Sequence, residues 1–217
     1  MPQALRRRLS VAIALMVLPI ALTPVSPAAA SSGCGHVASD FNGDGYGDLA
    51  TSAFNRTVDG VRGAGSVQID YGSASGINAA RSQYFDQSST GMPGSPVSQA
   101  NFGTALAGGY FNGDCYADLA ISGDDLNLST NGWVIILYGS AKGLTTSGAV
   151  EYTGRSAASG FGTALAVGDF NRDGFDDLAA GAPNAADGTV SQAGEVGIMY
   201  GGSSGLGGPS AWFTQNS

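Results

Sequence analysis

Histidine occurs once in this chain of 217 residues, as His36, so any histidine-assisted catalysis has a single candidate. Cysteine occurs twice, as Cys34 and Cys115, enough for one bridge and no disulfide framework. Basic residues are scarce, nine against seventeen acidic ones, and a formal charge of −8 excludes binding nucleic acid by charge. Helical periodicity is missing after residue 30, and thirty-five glycines argue for many tight turns and against long helices. Long apolar runs are also absent. The one candidate, Val11 to Leu22, is interrupted by Pro19 and is shorter than the roughly twenty residues a membrane span needs. Preceded by Arg6, Arg7 and Arg8 and followed by Ala28-Ala29-Ala30, it reads as the core of a secretory signal peptide over residues 1–30. The expected location is therefore secreted and extracellular, with no membrane span. Cys34 does not read as a lipid anchor, because no large apolar residue stands three places before it.

Loss of residues 1–30 would leave six basic and seventeen acidic residues, a formal charge of −11. Nine of those acids fall in three copies of one short motif, 70 and 59 residues apart. The copies run from Asp40 to Asp48, from Tyr110 to Asp118 and from Asp169 to Asp177. Oxygen-bearing side chains recur at loop positions 1, 3, 5 and 9, a spacing that can wrap a turn around one hard cation, with calcium the best match. The first copy offers Asp40, Asn42, Asp44, the carbonyl of Tyr46, and Asp48. The third offers Asp169, Asn171, Asp173, the carbonyl of Phe175, and Asp177, with Asp176 adding charge nearby. The second keeps Asn112, Asp114, Tyr116 and Asp118 but has Tyr110 for the first carboxylate and Cys115 for the turn glycine, so it should bind more weakly. All-oxygen ligands exclude a soft metal, and magnesium's strict octahedron suits such a loop less well. The competing reading is a set of acidic turns held by Asx hydrogen bonds without metal. Three carboxylates brought close together repel unless a cation lies among them, so a bound ion would be structural.

The repeat extends beyond the loops. Phe102-Gly103-Thr104-Ala105-Leu106-Ala107 and Phe161-Gly162-Thr163-Ala164-Leu165-Ala166 precede the second and third copies, while the first has only Ser32-Gly33 there. Leu-Ala follows every loop. Strand-like segments then end at Tyr71, Tyr138 and Tyr200, each followed by a turn that starts and ends in glycine. Each unit predicts four short antiparallel strands, the pattern of a β-propeller blade. The third strand is apolar throughout in the middle unit, Trp133 to Leu137, but alternates in the first, which predicts an arc whose first blade has one wet face.

The third copy, with Phe161-Gly162, its acidic loop, and Gly181-Ala182-Pro183, closely resembles the FG-GAP repeat of integrin α propellers and of exported bacterial proteins. The resemblance covers essentially the mature chain and implies an all-β fold of three four-stranded blades, 31–90, 91–155 and 156–217. It implies that the Phe-Gly strand is innermost, where Ala105, Ala107, Ala164 and Ala166 suit a crowded centre, and that the calcium loop joins it to the second strand. A pair formed by Cys34 and Cys115 would then tie the first inner strand to the second blade's loop; two unrelated thiols are the alternative. Propellers close with about four to eight blades, so three form an incomplete ring, completed by self-assembly or belonging to a longer protein.

By function, the resemblance implies a non-catalytic adhesion module for an extracellular protein or glycan. A hydrolase fragment is the alternative: Gly201 to Gly205 formally matches a nucleophile elbow at Ser203, with His36 as the only base, but it occupies a recurring hairpin turn. A lectin is the third reading. Trp133 and Trp212 could stack on sugars, but both sit in strand patterns that favour the core.

Overall fold

The computed structural model describes residues 35–78, 80–123, 131–156 and 159–215. The expected signal peptide, together with Ser32, Gly33 and Cys34, lies outside them. Eleven strands form three antiparallel sheets, and no helix among the described residues is long and apolar enough to cross a membrane. The first sheet holds β1 (Leu49–Ser52), β2 (Val67–Asp70) and β3 (Ser82–Phe85). The second holds β4 (Leu106–Gly109), β5 (Asp118–Gly123), β6 (Trp133–Tyr138) and β7 (Thr145–Thr153). The third holds β8 (Ala164–Gly168), β9 (Asp177–Ala182), β10 (Glu195–Met199) and β11 (Ala211–Thr214). Each sheet is a meander of neighbours, so this is an all-β, incomplete propeller of three blades. Among the described residues the first blade has three strands, where four were expected. Gly35 to Ser39, before its loop, form no strand, and the Phe that anchors the other inner strands is Ser32 in this copy.

Two layers of apolar side chains hold the blades together. Between blades one and two lie Phe41, Val67, Ile69, Phe102, Leu119 and Ile121. Between blades two and three lie Phe111, Ala120, Phe161, Leu178 and Met199. Strand β6 serves both: Trp133, Ile135 and Leu137 enter the first layer, Val134 and Ile136 the second. Its unbroken apolar run is thus explained by the two-residue period of a strand buried on both faces. Each such side chain contributes about 1.5–3 kcal/mol by leaving water. Strand β2 has only one covered face, so Val67 and Ile69 are buried while Gln68 is exposed. The inner strands are not crowded: Ala105 and Ala107 are half-buried, and Ala164 and Ala166 are exposed. Three blades leave the central side of the arc open, so these positions lack the neighbours a closed ring would supply.

Candidate functional site: the three acidic loops

The acidic loops stand at one end of each blade. The second joins β4 to β5 and the third joins β8 to β9, while the first leads into β1. The last aspartate of each loop is buried at the start of the following strand and binds two separate pieces of backbone. Asp48 accepts Phe41 N–H through Oδ2 and Gly72 N–H through Oδ1, both at 2.8 Å. Asp118 accepts Phe111 N–H and Gly139 N–H, both at 2.9 Å. Asp177 accepts Phe170 N–H at 2.8 Å and Gly201 N–H at 2.9 Å. Each carboxylate therefore fastens its loop to the turn that follows the blade's third strand. Burial pushes all three upward from the ordinary aspartate value, against the pull of those N–H donors, and takes Asp118 to about 7.

The loop interiors are Asx turns. Asp40 accepts Asp44 N–H at 3.1 Å and Gly45 N–H at 2.8 Å, and Asn42 Oδ1 accepts the same Asp44 N–H at 3.0 Å. Asp44 Oδ1 accepts Tyr46 N–H at 3.1 Å. The third loop repeats this: Asp169 takes Asp173 N–H and Gly174 N–H, both at 3.1 Å, and Asp173 takes Phe175 N–H at 2.9 Å. Position six has a left-handed backbone in every copy, with φ of 87° at Gly45, 74° at Cys115 and 91° at Gly174. Cys115 adopts this without glycine's freedom and is disulfide-bonded; its expected partner, Cys34, lies outside the described residues.

The second loop lacks the first-position carboxylate, as its sequence requires, and the structure shows what Tyr110 does instead. Its hydroxyl donates to Val37 O at 2.7 Å, and its ring stacks on His36 with centroids 3.9 Å apart. Its N–H donates to Asp176 Oδ2 at 2.8 Å. Asp176, expected only to add charge near the third loop, thus bridges two blades. Backbone bonds reinforce both seams: Ala117 N–H donates to Asp40 O between blades one and two, and Asp176 N–H to Tyr110 O between blades two and three. Nothing in the one-dimensional pattern marks these bridges except that the loops recur.

The loops fit a hard cation in ligand type, turn geometry and charge. Their side-chain ligands are all oxygen, the asparagines offering Oδ1 while Nδ2 donates to the aspartate two residues on. In the first loop, among the described residues, Arg81 alone forms a salt bridge, 3.7 Å from Asp44. Among the described residues no salt bridge reaches Asp169, Asp173 or Asp177 in the third. The loops do not present a finished shell: among the described residues no three acidic, histidine or cysteine side chains converge as a metal-holding group. The carboxylates are turned instead toward backbone N–H donors.

The two residues of the catalytic alternative have other surroundings. His36 lies on Tyr110, and Ser203 lines a cleft with Asn112, Asp114 and Tyr138. Trp133 is buried and packs on Phe102; Trp212 packs on Phe161 and under Arg155.

Repeated meander sheets, each carrying an acidic loop clamped by a buried aspartate, define an array of propeller blades of the integrin-like type. Residues 161–199 match the FG-GAP repeat family, and the chain is an FG-GAP repeat protein. It is 32% identical over 169 residues to phosphatidylinositol-glycan-specific phospholipase D of Bos taurus, covering 76% of this chain and 20% of that protein. It is 43% identical over 83 residues to integrin alpha-PS2 of Drosophila melanogaster, 38% of this chain and 6% of the integrin. Integrin alpha-5 of Xenopus laevis is 32% identical over 118 residues, 52% of this chain and 11% of the integrin. The chain spans a fifth or less of the length of these relatives.

Proposed function

We propose that this protein is a secreted, calcium-stabilised binding module without catalysis, which presents a propeller face to an extracellular protein or glycan in the manner of an adhesion domain. The observation that supports the reading is the third loop, which carries Asp169, Asp173 and Asp177 with no salt bridge to any of them among the described residues. Calcium, when bound, supplies the positive charge that cancels their repulsion. Asp40, Asn42, Asp44, the Tyr46 carbonyl and Asp48 would hold one ion. Asp169, Asn171, Asp173, the Phe175 carbonyl and Asp177 would hold another. Asn112, Asp114, the Tyr116 carbonyl and Asp118 would form a weaker third site. The last aspartate of each loop also fixes the turn after the third strand, so ion binding adds to folding stability.

Calorimetric titration of the full chain with calcium, beside thermal melts in calcium and in EDTA, tests this. Two tight sites and a higher melting temperature in calcium support the reading. No heat of binding, together with superimposable melts, refutes it.

The similarity to a phospholipase D favours a second reading, in which the chain is an accessory region of an exported hydrolase. Release of a glycosyl-phosphatidylinositol-anchored reporter by this chain alone would overturn the non-catalytic proposal.

A further inference from the structure

A cleft of about 210 Å³ opens at the seam between blades one and two, beside the first acidic loop. Its lining joins three pieces of chain: Asn42 from the loop, Tyr71 with Arg81, Ser82 and Gln83 from the first blade, and Lys142 from the turn after β6. Beyond residue 30 the chain has six basic residues, and two of them line this one cleft. Neither is tied down. Arg81 Nη1 stands 3.7 Å from Asp44 Oδ2, beyond the roughly 2.7–2.9 Å of a charge-assisted bond, and the Arg81 side chain is 56% exposed. No salt bridge reaches Lys142 among the described residues.

The neutral lining is held in place. The Tyr71 hydroxyl accepts Leu144 N–H and donates to Gln83 Oε1, and Gln83 Nε2 donates to Leu144 O at 3.1 Å. Asn42 Oδ1 accepts Asp44 N–H at 3.0 Å, and Nδ2 donates to Asp44 Oδ2 at 3.1 Å. Gln83 keeps one N–H and one lone pair beyond these bonds, and Asn42 keeps one N–H. That is the complement of hydroxyl groups, which both donate and accept.

The repeat supplies a control for the two cations. At the seam between blades two and three the corresponding cleft, about 400 Å³, is lined by Asn112, Tyr138, Gly148 and Ser204, together with Asp114. Gly148 stands ten residues after Tyr138, as Arg81 does after Tyr71. Ser204 stands four after Tyr200, as Lys142 does after Tyr138. The seam closes in the same way without the cations, since Tyr138 accepts Leu206 N–H at 3.1 Å. Arg81 and Lys142 are therefore not needed to join the blades, and they give the first cleft the opposite charge to the second.

We propose that the cleft between blades one and two binds an acidic sugar, a uronic acid residue of a glycan, with its carboxylate between Arg81 and Lys142 and its hydroxyls on Gln83 and Asn42. The cleft is smaller than the ~300–1,000 Å³ of ordinary ligand sites, so it takes one sugar-sized group. A peptide carboxylate would satisfy the cations but bring no hydroxyls to the amides.

The assignment names a ligand for the binding module and rests on that reading. Calorimetric titration of the full chain in calcium, at fixed ionic strength, compares sodium glucuronate, glucose and an N-acetylated aspartate amide; each protein is also melted in calcium and in EDTA. The expected result is saturable binding of glucuronate, at least tenfold tighter than glucose, and weakened at least tenfold by Arg81→Gln and by Lys142→Ser in proteins that melt normally. No saturation by a protein whose melting temperature calcium still raises overturns the proposal and leaves the calcium reading intact. Equal binding of glucose, or unchanged binding by either variant, overturns it as well. An equal loss in Arg62→Ser, outside the cleft, overturns it because net charge alone would then explain the binding. The aspartate amide binding as tightly as glucuronate overturns it in favour of an acidic peptide.

Discussion

Replacing Tyr71 by phenylalanine removes one oxygen from a seam between blades, and the structure sets the cost. The Tyr71 hydroxyl accepts Leu144 N–H at 3.0 Å and donates to Gln83 Oε1. Gln83 is half-buried and keeps its amide bond to Leu144 O at 3.1 Å, so its Oε1 is the lesser loss. Leu144 is 3% exposed, so its N–H is left buried without a partner. Such a group costs about 1–3 kcal/mol. At roughly 2–4 °C per kcal/mol for a chain of this size, a 2 kcal/mol loss lowers the melting temperature by about 4–8 °C.

The repeat supplies its own controls. Tyr138 holds Leu206 N–H at 3.1 Å across the second seam, and Leu206 is 4% exposed, so Tyr138→Phe should cost about as much. Tyr200 is the third member of the series, and its hydroxyl has no partner among the described residues. Tyr200→Phe should change stability by no more than about 0.5 kcal/mol. Urea denaturation of the three variants, read by tyrosine and tryptophan fluorescence, measures the series. A loss for Tyr200→Phe equal to that for Tyr71→Phe would refute the argument, since the hydroxyl would then matter within its own blade.

Burial takes the Tyr71 phenol up from 10.0 to about 12, so the folded state keeps a proton that the unfolded chain gives up. That contribution to stability is complete below pH 10 and is lost as the pH rises to about 12; urea midpoints across this window should fall, and fall less in Tyr71→Phe. Gly132→Ala puts a methyl 2.3 Å from Phe161 O at a φ of 74°, and should cost more than about 3 kcal/mol in chemical denaturation. Gly194→Ala, at a φ of 77° but with room around it, should cost only the roughly 1–2 kcal/mol of a left-handed residue. Arg155→Ala leaves the buried Glu195 unpaired; because the guanidinium is half exposed, the cost should be about 2–3 kcal/mol, recovered in part by adding Glu195→Gln. Calorimetry on Asp40→Asn and Asp169→Asn should each remove one tight calcium site, while Asp114→Asn touches only the weakest.

The strands were legible because three copies could be compared. Leu-Ala after each loop and the Tyr-Gly pair closing each third strand located β1, β5 and β9, and β2, β6 and β10, where any single segment of four to six residues would have been ambiguous. The burial of β6 on both faces could be read from Trp133 to Leu137, and the single wet face of β2 from its alternation. That Gly35 to Ser39 form no strand had a visible sign in the sequence, where Ser32 stands in the place of the aromatic anchor. The exposure of Ala164 and Ala166 had none, because small residues suit a crowded axis and an open one equally.

At the loops the oxygen ligands were legible from their spacing, but not what they touch. A carboxylate at position nine reads as a metal ligand, yet Asp48, Asp118 and Asp177 each span 21 to 24 residues to a turn glycine. The two roles are compatible in lone pairs, since a carboxylate has about four acceptor directions and two are taken by N–H donors. They are opposed in electrostatics. Burial favours the protonated acid, and only positive charge reverses that preference. Backbone dipoles supply part of it in every loop. The first loop adds Arg81, and the second avoids part of the problem by placing Tyr110 where a carboxylate would stand. The third keeps its first-position carboxylate and, although Arg172 lies in the loop, shows no salt bridge to Asp169, Asp173 or Asp177 among the described residues, so its stability should depend on an added cation.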